Sequence, residues 1–186
     1  MEYVIREDAD KVNILDHLKE MFRHMYWADA QVWNAVLSTP DAEKNNRLRT
    51  QLFQIHTAQY AFGQVWLKKP LEIPEIDKFR SLEEMARWAC KSQDLLEKFV
   101  KNVEGEDLDQ PVELPWAHRL EEVFGKKPAA STLAETMIQV ASHSSHHRGQ
   151  VCTSIRKSGG EPPLIDFIAW VWFDKPKAQW PAIDSE

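Results

Sequence analysis

Residues 131–157, STLAETMIQVASHSSHHRGQVCTSIRK, decide the fold. Leu133, Met137, Val140, His147 and Val151 recur along this run at helical spacing, so one face is turned to a core and the other to water. Ser131 precedes Glu135 by four residues and marks the start, and Gly159-Gly160 marks the stop.

Three further helical patterns lie upstream. From Asn13 to Leu37, the positions Ile14, Leu18, Met21, Phe22, Met25, Val32 and Val36 form an apolar stripe, which Ser38-Thr39-Pro40-Asp41 ends. Asp41 is expected to cap the second helix, whose stripe runs Leu48, Leu52, Ile55, Gln59, Phe62, Trp66 until Pro70 closes it. Ser81 and Glu84 have capping-box spacing, and Leu82, Met85, Trp88, Ala89, Leu95, Leu96 and Phe99 mark the third helix, with Gly105 after its end. Between it and the last long helix, residues 106–130 carry Pro111, Pro115, Gly125 and Pro128 and read as an irregular crossing with one extended or one-turn piece. After the last long helix, Phe167, Ile168, Trp170, Val171 and Trp172 lie between Pro163 and Pro176; the run is too short for periodicity to choose helix or strand, and a helix across the bundle end is preferred. The expected fold is all-α: a four-helix bundle with a long crossover and a short C-terminal helix, formed by residues 1–186 as one domain.

Bulk properties exclude several classes. With 43% hydrophobic and 28% charged residues the chain is of globular composition, and its formal charge of -6 offers no field for a phosphate backbone, so no nucleic-acid partner is expected. The opening MEYVIREDAD lacks the apolar segment of a secretory signal, and the apolar run from Phe167 to Phe173 is far shorter than a membrane span. Cys90 and Cys152, with no Cys-x-x-Cys pair, suit a reducing cytoplasm and read as small buried hydrophobes.

Of the seven histidines, His143, His146 and His147 cluster. Residues four apart on a helix share a face, so His143 and His147 can address one ion, whereas His146 is turned about 100° from His147. A divalent ion needs at least a third ligand from another segment, and His56, set in the stripe of the second helix, is the best candidate. Gly63 lies on nearly the same face and would leave room beside its ring. The same histidine reads equally as a core residue satisfied by a hydrogen bond.

The segment His143-x-x-His146-His147-Arg148-Gly149-Gln150, followed by Gly159-Gly160-x-Pro162-Pro163-x-x-Asp166, resembles the last bundle helix and tail of the DinB superfamily. Tyr26-Trp27-Ala28-Asp29 is similar to that family's Trp-Ala-Asn segment, and Ile55-His56 to its metal-binding second helix. The resemblance implies a bundle of four long helices with a three-histidine metal site, carried here onto His56, His143 and His147. Asp29 stands where the family often has Asn, and Gln139 where some members have His. Some relatives are transferases or isomerases using low-molecular-weight thiols, and members often form homodimers, so both are implied here.

Three neutral imidazoles would leave an ion its full charge and an open position for water or a thiol, which the metal would drive to thiolate. Two functions follow: a metal-dependent thiol S-transferase acting on an electrophilic substrate, or a related hydrolase or isomerase, and a non-catalytic metal-binding stress-response bundle. Imidazole ligands point to zinc or nickel, then iron or manganese. Arg148, one step from His147, is expected in a structural ion pair outside the site, and His17, His24 and His118 are expected in solvent. Trp66, Trp88, Trp116, Trp170 and Trp172 read chiefly as core, with a pocket lining at the open bundle end as the alternative. Glu-x-x-His pairs and His-Glu-x-x-His are absent, so neither a di-iron site nor a zincin site is expected.

Overall fold

The computed structural model describes residues 13–182, so the MEYVIREDAD stretch lies outside the described residues. The long helices are α1 (Ile14–Leu37), α2 (Asn46–Trp66), α3 (Leu82–Asn102) and α5 (Leu133–Lys157); α4 (Glu121–Phe124) is one turn within the crossover, and α6 (Phe167–Trp172) follows the last long helix. None of the described helices is long and apolar enough to cross a membrane.

The helix starts show their chemistry. Asn13 caps α1 by accepting from the Leu15 N–H, and Ser81 caps α3 by accepting from the Glu84 N–H. Asp41 does not cap α2: it sits in the left-handed region (φ 54°) before a 3₁₀ turn at Ala42–Lys44, and Asn45 takes the cap by accepting from Leu48 N–H. The last long helix starts one residue later than its Ser131 signal, because Ser131–Thr132 is used as strand β2, antiparallel to β1 (Pro111–Val112). Thr132 then closes a capping box with Glu135. At its other end, Gly159 adopts φ 78°, a left-handed conformation that glycine takes without a Cβ penalty. The segment before Pro176 is a helix, but α6 packs on the middle of α1 and not across the bundle end: Trp170 is buried in one cluster with Trp27 and Ala28.

Three side-chain hydrogen bonds fix how α2 meets α5. Gln51 accepts from Ser154 (2.7 Å), Gln59 donates to Ser144 (3.0 Å) and Trp66 donates to Thr136 (3.0 Å). Moving forward along α2 thus means moving backward along α5, and the pair is antiparallel. Two apolar clusters fill the bundle. One holds Val32, Trp33, Val36, Leu48, Leu52, Ile55, Met85, Val151 and Ile155; the other holds Leu18, Phe22, Met25, Phe62, Trp66, Leu96, Val100, Met137 and Val140. Between them in every long helix stand buried polar residues: Asp29 in α1, His56 and Gln59 in α2, Gln93 in α3, Ser144 and Arg148 in α5.

Candidate functional site

Apart from Gln93, which accepts from Trp180, that polar layer is a connected hydrogen-bond chain. The Arg148 guanidinium donates to Asp29 Oδ1 (2.8 Å), Gln59 Nε2 donates to Asp29 Oδ2 (2.7 Å), Gln59 Oε1 faces His56 Nδ1 (3.2 Å), and Trp33 Nε1–H donates to His56 Nε2 (2.8 Å). An indole N–H only donates, so His56 Nε2 must offer its lone pair and the ring proton sits on Nδ1, where it is donated to Gln59. The same step orients Gln59, whose oxygen accepts from His56 while its amide nitrogen serves Asp29 and Ser144. Each polar group is therefore used in the one direction its neighbours allow. Burial holds His56 below the ordinary imidazole pKa, against a smaller upward pull from the Asp29 carboxylate. A protonated ring would also turn a second N–H toward the Trp33 N–H.

The Asp29–Arg148 pair is nearly sealed, with side chains 1% and 3% exposed. The ion pair expected of Arg148 is present, and its partner is the residue where the resembling family often has Asn. Burying a charge pair is costly, and the cost is offset on the carboxylate side, where Gln59 supplies the second hydrogen bond to Asp29.

His143 and His147 come together as their spacing requires, with ring centroids 4.4 Å apart and planes at 68°. They lie half-buried on the flank of α5, because the buried face of that helix runs through Met137, Val140, Ser144, Arg148, Val151 and Ile155, one step away. Burial first, then the neighbouring His147 and His146, keeps His143 below the ordinary imidazole pKa, so its ring is neutral near pH 7. His147 Nδ1 pairs with Gln150 Oε1 (2.9 Å), an orienting contact of the sort that fixes a metal-binding imidazole for ligation through Nε2. His146 is exposed and contacts Gln150 Nε2.

His56 is not brought to that pair. Its lone pair is occupied by Trp33 of α1, and its ring lies against Trp33 and Trp180. On α2 it is turned about 140° from Gln51, which bonds to α5, and its lone pair faces α1. Among the described residues, no three His, Cys, Asp or Glu side chains are grouped to hold one ion. As placed, the three histidines do not fit a three-ligand metal site; only His143 and His147 stand together. The space at Gly63 is taken by α3 instead, since Leu96 Cδ1 lies 3.2 Å from where its Cβ would stand.

The profile of the DinB family matches residues 14–179. The chain belongs to the DinB family. No curated protein matches it. The match spans all four long helices, so both the layer around Asp29 and the histidine pair of α5 lie within the family's domain.

The remaining expected positions divide. His17 and His118 are exposed, but His24 is half-buried, bonded through Nε2 to the Ile165 carbonyl (2.9 Å) and ringed by Trp27, Phe167 and Trp170. Burial raises the thiol pKa of both Cys90 and Cys152, so neither is a ready thiolate. Trp66 lines a cleft of about 790 Å³ under the crossover, whereas Trp172 stands 74% exposed. Sequence inspection left Trp33 out of the site and used Gln59 only as a stripe position. For Gln59 the signal was a polar residue at a buried helical position, as at Asp29 and Ser144; Trp33 carries no such signal.

Proposed function

We propose that this DinB-family protein binds a divalent ion through His143 and His147 and that its role is non-catalytic, the ion sitting on the flank of a bundle whose interior is already complete without it. The observation that carries this is the separation of the histidines: one half-buried pair on α5, and a His56 whose lone pair is held by Trp33. Two imidazoles leave most of the coordination sphere to water, so binding is exchangeable, with zinc or nickel preferred among soft-to-borderline ions and iron or manganese weaker. Transfer of a low-molecular-weight thiol is the catalytic alternative, favoured by the half-buried position of the pair. It demands a third protein ligand.

The test is metal content by mass spectrometry on untagged protein after equilibration with zinc or nickel. The expected result is one ion per chain in wild type and in His56→Gln, where the glutamine oxygen can still accept from Trp33, and none in His143→Ala or His147→Ala. Loss of the ion in His56→Gln with the fold retained would overturn the two-histidine site and restore the catalytic alternative; absence of metal from wild type would overturn metal binding altogether.

A further inference from the structure

A second cleft, of about 560 Å³, opens between α1, α5 and the segment before α6, and it touches neither His143 nor His147. Its lining includes Arg148, His24, Ser145 and Asp166, with Met21, Met25 and Phe167 as apolar wall. Arg148 is 98% buried as a residue, yet one guanidinium nitrogen alone bonds to Asp29; the other N–H groups have no hydrogen-bond partner among the described residues. Five fixed donors with one acceptor is an unfinished arrangement for a buried arginine. Arg148 itself lines the cleft.

The other polar groups there are also unspent. The Ile165 carbonyl can only accept, so His24 carries its proton on Nε2 and leaves Nδ1 as an acceptor. The Asp166 carboxylate makes no capping bond to α6 and no ion pair among the described residues. Arg148, His24 and Asp166 all line the cleft, so a cation and a carboxylate stand on the same wall. Since Asp29 already balances Arg148, a bare anion would meet an excess negative charge from Asp166. A ligand carrying both signs would not.

We infer that this cleft binds a small amino carboxylate, its carboxylate on the free N–H groups of Arg148, its ammonium toward Asp166, and a short apolar body against Met21, Met25 and Phe167. The size is in the range of small-molecule pockets, and the combination of an apolar wall with a few convergent polar groups is what such pockets share. An arginine fork matches a carboxylate in two-point geometry, which gives orientation as well as attraction. The inference does not depend on metal binding, because neither histidine of the α5 pair lines the cleft.

The test is titration of the full chain, followed by amide chemical shifts, with α-, β- and γ-amino carboxylates beside butyrate and butylamine. One amino carboxylate is expected to saturate and to bind better than butyrate and butylamine. Ser145→Trp fills the cleft from an exposed position that makes no hydrogen bond in the fold, and is expected to weaken that binding by more than about tenfold. Asp166→Asn is expected to weaken the amino carboxylate about three- to tenfold while strengthening butyrate, which no longer meets a like charge. No saturable binding at millimolar ligand, butyrate binding as tightly as every amino carboxylate, or full affinity in Ser145→Trp would each overturn the assignment. Arg148 itself is left intact, since its loss would strand Asp29.

Discussion

Replacing Asp29 with alanine removes the counterion of a guanidinium that is only 3% exposed. A buried pair broken on one side costs about 3–5 kcal/mol, because the surviving charge stays in a low-dielectric site without a partner. The second hydrogen bond of Asp29 is less costly to lose, since Gln59 Nε2 still reaches Ser144 at 3.0 Å. Against a typical total stability of about 5–15 kcal/mol, Asp29→Ala is expected to forfeit about a fifth or more. With a urea dependence of about 2 kcal/mol per molar, the unfolding midpoint followed by far-ultraviolet circular dichroism should fall by about 2 M. The decisive arm is the double variant Asp29→Leu with Arg148→Met, which removes both charges and keeps apolar volume. It should recover most of the loss, as replacing a buried pair by packed apolar groups is often neutral or stabilising by about 1–4 kcal/mol. An Asp29→Ala cost below about 1 kcal/mol, or a double variant no more stable than the single one, would refute the polar layer as a coupled unit.

Two further outcomes follow from the same geometry. His56 is held neutral in the folded chain and has an ordinary pKa when unfolded, so the unfolded state binds more protons below about pH 6.5 and stability must fall as pH drops through that window; wild type should lose up to about 1.4 kcal/mol per pH unit more than His56→Gln there, and equal slopes would contradict the buried neutral ring. At Gly160 an added Cβ would stand 2.2 Å from Thr39 Oγ1, which is itself tied to the Ala35 carbonyl, so Gly160→Ala is expected to cost about 1–3 kcal/mol in thermal unfolding, and an unchanged Tm would show that this close approach relaxes freely.

The four long helices were legible because their apolar stripes are long and regular, and Ser81 and the Gly159-Gly160 stop were read directly from local chemistry. Where two signals competed, the tertiary pairing won: Ser131 was drawn into a strand with Val112, and the α2 cap passed from Asp41 to Asn45. The histidine pair was legible from spacing alone, since positions four apart must meet on any helix. His56 was not, because spacing within a helix says nothing about which neighbour that face will meet. Its partner is an indole in α1, and the face of α2 that reaches α5 presents Gln51 and Gln59 instead. The layer around Asp29 escaped notice for a related reason: isolated polar residues in apolar stripes become a network only when three helices are placed side by side.

The most direct measurement is X-ray absorption of nickel or zinc bound to the intact protein, which counts the imidazoles on the ion. Two imidazoles, with the remaining ligands light oxygen donors, is the predicted result. Three imidazoles in wild type, falling to two in His56→Gln, would contradict the account by showing that His56 leaves Trp33 to complete the site.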